Sequence, residues 1–301
     1  MKILVTGSSG TIGTRLCEKL AERKQDFVGV DKKHNRWSKE IDRKTKILNL
    51  LKEVEVKRMP VADMIIHLAA NARVYNLVLK PELAKENMIT TFNVLEFCRK
   101  NDISRFVFAS SREAYGNSRK IKHKEEDVRI ELCESPYTAS KIAGEALAQA
   151  YCKCYGIDFV IVRFSNVYGM YDDSDRVVPL FIRRAMQNKD LVVYGREKLL
   201  DFTYIDDAVD GLLKVIERFE IVKDNTFNIA SGKGTKIVDV ARLIKKELNS
   251  KSKIKTESNR RGEVLKFIAD ISKARKLLNY RPKVNIDEGI RKSIEWYKNF
   301  L

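Results

Sequence analysis

The sequence predicts an α/β fold organised on a doubly wound parallel sheet, and three observations carry that expectation. Short apolar runs alternate with amphipathic stretches from the amino terminus to about Phe164, the rhythm of strand and crossover helix in a parallel sheet. The first apolar run leads directly into Gly7, Gly10 and Gly13, and the second ends on Asp31. With 301 residues, 44% hydrophobic and 33% charged, the chain can bury a sizeable core in one or two domains.

Taken in order, Ile3-Leu4-Val5 is a short buried strand, and Thr11-Ile12-Gly13-Thr14-Arg15-Leu16 opens an amphipathic helix after the glycine turn. Glycines at such a turn let backbone approach a pyrophosphate, whose charge then rests on the helix amino terminus. The spacing G-x-x-G-x-x-G is one residue longer than the usual dinucleotide fingerprint. Phe27-Val28-Gly29-Val30 is the second strand, and Asp31 at its end stands where an acid meets a ribose 2′-hydroxyl, favouring NAD over its phosphorylated form. Lys32 and Lys33, which follow at once, act against that preference. Lys46 to Leu48, Met64 to Leu68, Phe106 to Ala109 and Phe159 to Val162 are the next strands, with a long helix from Pro81 to Lys100 among the elements between them. His67 lies inside an apolar strand and is read as a hydrogen-bonded core histidine. Beyond Ser165 the elements shorten, and a helix over Asp206 to Glu217 is expected to pack back on the first half.

Chemistry concentrates between Phe106 and Lys141. The Phe106 strand ends in Ser110 and Ser111, and Ser135-Pro136 marks a helix start that puts Tyr137 and Lys141 one turn apart on one face. A tyrosine with a pKa of about 10 needs roughly 4 kcal/mol of differential stabilisation to ionise at pH 7. An ammonium about 5 Å away at an effective dielectric near 20 supplies roughly 3 kcal/mol. The pair is therefore expected to furnish a phenolate base.

No run approaches membrane-spanning length, and the first apolar run is too short for a secretory signal, so a cytoplasmic protein is expected. The five cysteines are odd in number and lack metal-ligand spacing; they are read as reduced thiols, with no metal site. A net charge of +17 raises nucleic-acid binding as a rival. The runs Arg119 to Lys124 and Lys251 to Lys255 carry no interleaved aromatics, however, so a solvated lysine-rich surface is the expectation and no nucleic-acid partner.

The glycine turn, Ser111, Tyr137 and Lys141 occur together with further motifs. These are His67-Leu68-Ala69-Ala70, Glu86-Asn87, Asn93-Val94-Leu95-Glu96, Tyr115-Gly116, Arg163 to Gly169, Asp201 to Asp207 and Arg260-Arg261-Gly262-Glu263. In this order they resemble the extended short-chain dehydrogenase/reductases, in the NAD-dependent nucleotide-sugar epimerase/dehydratase branch and of the UDP-glucose 4-epimerase type. The resemblance covers nearly the whole chain. It implies a Rossmann-type NAD-binding domain over 1–165, also receiving roughly 196–220, and a smaller α/β substrate-binding lobe mainly over 166–301.

The resemblance also implies site residues. NAD is expected at Gly7, Gly10, Thr11, Ile12 and Gly13, at Asp31 and Lys32, and at Asn49 and Leu50, where relatives place an aspartate and an aliphatic residue against adenine. Leu68, Ala69, Ala70, Asn87, Ala109, Tyr137, Lys141 and Phe164 complete that set. A nucleoside-diphosphate sugar is expected at Ser111, Glu113 and Val177, with Asn166 and Arg260 on the diphosphate and Val192 and Tyr194 along the base. Leu200 departs from the pattern, since many relatives have a nucleotide-contacting arginine there. Tyr137 would take the C4 hydroxyl proton, Ser111 would hydrogen-bond the same oxygen, and Lys141 would lower the tyrosine pKa.

The fate of the 4-keto sugar separates the members. Dehydratases carry an acidic pair after the catalytic hydroxyl, and here Arg112 replaces the first acid while Glu113 remains. Interconversion of UDP-glucose and UDP-galactose is the first expectation. UDP-glucuronate decarboxylation or 4,6-dehydration is the alternative, and a non-catalytic NAD- or RNA-binding relative the second alternative. The resemblance further implies a homodimer through the helices near Pro81 to Lys100 and Pro136 to Tyr155.

Overall fold

The computed structural model describes residues 1–300. Seven parallel strands form the main sheet, in the order Asn225–Ile229, Asp158–Phe164, Arg105–Ser111, Met64–His67, Ile3–Thr6, Phe27–Asp31, Thr45–Ile47. Because side chains alternate across a strand, the five inner strands each feed two cores. Ile3, Val5, Ile66, Val107, Val160 and Val162 meet Leu16, Cys17 and Leu20 of the helix Thr11–Glu22 on one face. Leu4, Ile65, Phe106, Phe108, Phe159 and Ile161 meet Val94, Leu95 and Cys98 of the helix Glu82–Lys100 on the other, together with Ala148 and Tyr151 of the helix Pro136–Tyr155. Helices on both faces of a parallel sheet make the doubly wound architecture that the apolar rhythm predicts.

Three details differ from the sequence reading. The third strand is Thr45–Ile47, one residue earlier than expected. A separate short helix, Val74–Leu79, precedes Glu82–Lys100, and Pro81 stands at the cap of the latter, where its missing N–H costs nothing. The strand Asn225–Ile229, not recognised in the sequence, completes the main sheet by pairing with Asp158–Phe164.

The remaining strands lie apart from this sheet. Leu199–Tyr204 pairs with Gly234–Lys236, Lys266–Ala269 and Asn166–Tyr168, and Lys122–His123 joins the far side of Lys266–Ala269. Leu191–Tyr194 pairs with Ile254–Glu257. Asp201 ties these pieces to their loops: its carboxylate accepts from Ser231 N–H at 3.0 Å, Ser231 Oγ at 2.7 Å and Gly232 N–H at 2.9 Å. The helix Ile205–Glu217 returns to the first half through Asp206, which meets Arg15 Nε at 2.6 Å. Among the described residues no helix is long and apolar enough to cross a membrane.

In the main sheet the order reverses at Ile3–Thr6, whose two neighbours, Phe27–Asp31 and Met64–His67, lead their connections to opposite sides. In open α/β sheets this reversal leaves a crevice at the carboxyl ends of the strands.

Candidate active site

A cleft of about 790 Å³ opens at that crevice, between the main sheet and the smaller strands. Every residue singled out in the sequence for cofactor or substrate lines it, from Gly7 through Asp31, Ser111, Tyr137 and Asn166 to Arg260.

The glycine turn is closed on itself. Gly7 has φ +73°, and a Cβ there would lie 2.7 Å from the Ala69 nitrogen; a Cβ on Gly13 would lie 2.0 Å from the Gly7 carbonyl oxygen. Only glycine fits either place. Gly10 caps the helix Thr11–Glu22 with no side-chain hydrogen bond and no acid in the first turn, so its leading N–H groups and positive dipole end stay available for a phosphate. Asp31 is held at the rim by Ser9 N–H and Lys33 N–H, both at 3.0 Å. Burial pushes its carboxyl up while those N–H bonds pull it back. A backbone cradle for a pyrophosphate with a fixed carboxylate one strand away fits a dinucleotide that lacks a 2′-phosphate.

Some expected cofactor residues act through their neighbours. The Asn49 side-chain oxygen accepts from Leu51 N–H at 3.1 Å, so it shapes the turn at the adenine end, with its amide NH₂ and the second lone pair of its oxygen left for a ligand. Asn87 exchanges two hydrogen bonds with the Asn71 backbone, at 2.7 and 3.0 Å, and donates to Ser140 Oγ at 3.2 Å, fastening the loop after Met64–His67 to the helix Pro136–Tyr155. His67 is the core histidine expected: its ring nitrogens meet Thr6 and Thr91 hydroxyls at 2.7 and 3.3 Å, and burial pulls its pKa down to about 3.

Ser111 ends the strand Arg105–Ser111, and its hydroxyl accepts from Glu113 N–H at 3.2 Å. Ser135 caps the helix Pro136–Tyr155 by accepting from Thr138 N–H at 3.2 Å, with Pro136 in the first turn. That start fixes Tyr137 and Lys141 on the buried face. Burial pushes the Tyr137 phenol above its ordinary value, opposed by the Ser111 hydroxyl and then by Arg176. Lys141 Nζ donates to the Ala109 carbonyl at 2.8 Å and lies 5.8 Å from the Tyr137 ring centre; burial pulls its pKa down to about 8. Desolvation therefore acts against the charged form of both groups, and the Lys141 ammonium is turned to the Ala109 carbonyl.

Beside Ser111, Arg112 Nη2 pairs with Glu113 Oε1 at 2.6 Å, and both side chains are under a tenth exposed. Arg112 Nη1 and Glu113 Oε2 are buried without a partner. Burial pushes the Glu113 carboxyl up, opposed by Arg112 and Lys198. Lys198 is ion-paired with Glu263. Arg73 pairs with Asp175, and Arg176 with Asp172 at 3.4 Å. Asn166 spends its amide NH₂ on the Asp201 carbonyl at 2.9 Å, leaving its oxygen unengaged. Arg73, Arg176, Lys198 and Tyr75 were not singled out in the sequence; as isolated side chains outside any motif they carry no local signal.

A family model described as the NAD dependent epimerase/dehydratase family matches residues 3–230. A UDP-glucose 4-epimerase from Thermotoga maritima, solved with UDP-glucose, superposes with a TM-score of 0.91 at 28% identity, covering 100% of this chain and 99% of that one. A UDP-glucuronic acid 4-epimerase from Bacillus cereus, solved with UDP-glucuronic acid and NAD, gives 0.92 at 28% identity over 100% of both chains. A UDP-glucuronate 4-epimerase from Thermodesulfobacterium geofontis is 30% identical over 317 aligned positions, 98% of this chain and 95% of the relative. A glycine cradle, a carboxylate at the second strand and a serine, tyrosine and lysine gathered in one cleft agree with these likenesses, and the chain belongs to the NAD-dependent epimerase/dehydratase family.

Proposed function

We propose that the protein is a nucleotide-sugar 4-epimerase interconverting UDP-glucose and UDP-galactose. Bound NAD supplies the hydride acceptor for C4 and a positive ring charge that favours the phenolate of Tyr137. The chain does the rest. Tyr137 removes the proton of the C4 hydroxyl and later returns it, and Ser111 hydrogen-bonds the same oxygen as its charge changes. Lys141, anchored on Ala109, keeps a positive charge below the tyrosine ring up to about pH 8. Asn166 and Arg260 hold the diphosphate, with Val192 and Tyr194 along the base and Val177 at the sugar end.

The Arg112–Glu113 ion pair carries the choice of epimerisation over elimination. Loss of water from the sugar needs an acid for the departing hydroxyl and a base for the C5 proton. Here a guanidinium stands at the first position, and it neutralises the glutamate at the second. The same bookkeeping favours a neutral hexose over a hexuronate. Arg73, Arg112 and Arg176 are each matched by a carboxylate, so their positive charge is already offset before a sugar carboxylate could arrive. The helices Glu82–Lys100 and Pro136–Tyr155, on which Phe92 and Tyr155 are exposed, are the surface we assign to a homodimer.

Chromatography of UDP-glucose and UDP-galactose after incubation with the protein tests the reaction. Each sugar should yield the other without added NADH and without a steady nicotinamide absorbance change, since the same hydride returns. Carbon dioxide from UDP-glucuronate, or a deoxy ketone from a dTDP- or GDP-hexose, with no 4-epimer of any hexose, would overturn the proposal.

A further inference from the structure

Arg36, Arg73, Arg112 and Arg176 line the cleft and each is paired with a carboxylate, whereas Arg260 lines it without one among the described residues. Aromatic faces hold it instead. Its guanidinium carbon lies 3.8 Å from the ring centre of Tyr194 and 4.9 Å from that of Tyr75. The two rings come from opposite walls. Tyr194 ends the strand Leu191–Tyr194, and its partner strand Ile254–Glu257 runs directly into the segment bearing Arg260, so that contact follows from one small sheet. Tyr75 stands in the first turn of the helix Val74–Leu79, on the side of the main sheet. The Arg260 segment is seated against that helix as well: a Cβ on Gly262 would lie 2.8 Å from Val78 Cγ2.

We propose that Tyr75 is a positioning residue for substrate binding, holding the Arg260 guanidinium across the cleft so that it meets the diphosphate of a nucleotide sugar already oriented. This rests on the reading of the cleft as a nucleotide-sugar site. A ring lying over a guanidinium engages its π face and leaves the in-plane N–H donors, the fork that takes two phosphate oxygens at once. With no carboxylate to displace, an incoming diphosphate meets an uncompensated cation. Tyr194 alone ties Arg260 to its own lobe; Tyr75 supplies the contact from the other wall, and its phenol oxygen has no part in it.

Calorimetric titration of the NAD-loaded protein with UDP, and with uridine as the phosphate-free control, tests the role of Tyr75. Tyr75→Leu should weaken UDP about 3- to 10-fold, the range of a partly desolvated cation–π contact. It should raise KM for the UDP-hexose by a similar factor while kcat holds, and leave uridine binding unchanged. Tyr75→Phe should behave as wild type, since the ring remains. Arg260→Ala should weaken UDP more than Tyr75→Leu does. Wild-type affinity for UDP in Tyr75→Leu, equal losses for UDP and uridine, or a loss in Tyr75→Phe matching that in Tyr75→Leu would overturn the role of Tyr75 while leaving the nucleotide-sugar reading intact. Failure of the wild-type protein to bind UDP, GDP or dTDP would overturn that reading and this inference with it.

Discussion

Lys141 is expected to weaken the fold that it equips. Its amine is buried, and its pKa falls from 10.5 to about 8, so the folded protein disfavours the ammonium relative to the unfolded chain by roughly 3 kcal/mol. Below about pH 8 the lysine is charged in both states, and the whole penalty is present. Between about 8 and 10.5 the folded protein sheds the proton while the unfolded chain keeps it, so the penalty shrinks as pH rises. Lys141→Met removes the buried charge at similar volume and forfeits the hydrogen bond to Ala109, about 1 kcal/mol. The net expectation at pH 7 is a gain of about 2 kcal/mol, which for a chain of this size is roughly a 4 °C rise in Tm, together with loss of epimerase activity. Urea unfolding of both proteins at pH 7, 9 and 10.5 measures it. The advantage of the methionine variant should be largest at pH 7 and gone by about 10.5. A variant that is less stable than wild type at pH 7, or whose advantage does not change with pH, would refute the reasoning.

Two further outcomes follow from the site. Tyr137→Phe should abolish hydride transfer, read as absence of any reduced nicotinamide after a single turnover, while NAD affinity stays within about twofold because only the phenolic oxygen is lost; full turnover by this variant would remove Tyr137 from the mechanism. Asp31→Ala should lower the preference for NAD over NADP by about tenfold in dissociation constants measured by fluorescence titration, since the fixed carboxylate at the rim disappears; an unchanged ratio would assign the discrimination to other groups.

What the sequence determined by itself is what local backbone chemistry and strand periodicity control. A turn that admits no Cβ at Gly7 and Gly13 must be written with glycine, a capped helix start needs Ser135-Pro136, and a strand feeding two cores must be apolar at successive positions, as Ile3-Leu4-Val5 and Phe106-Val107-Phe108 are. The place of Ser111, Tyr137 and Lys141 was therefore legible, because one strand end and one helical turn set it. Asn225–Ile229 was not legible, since five residues mixing polar and apolar positions join a sheet only when the long-range partner Asp158–Phe164 is there to pair with. Tertiary structure alone decided the electrostatics. Whether Tyr137 is helped or opposed depends on burial, on the Ser111 hydroxyl and on Arg176, a residue 39 positions away in the chain. Which arginines are free is likewise a matter of pairing across loops: Arg112 is neutralised by its neighbour, Arg73 by Asp175, and Arg260 is left to two rings from opposite walls. Charge interactions fall off with distance in space and depend on solvent exposure, and neither quantity is set by spacing along the chain.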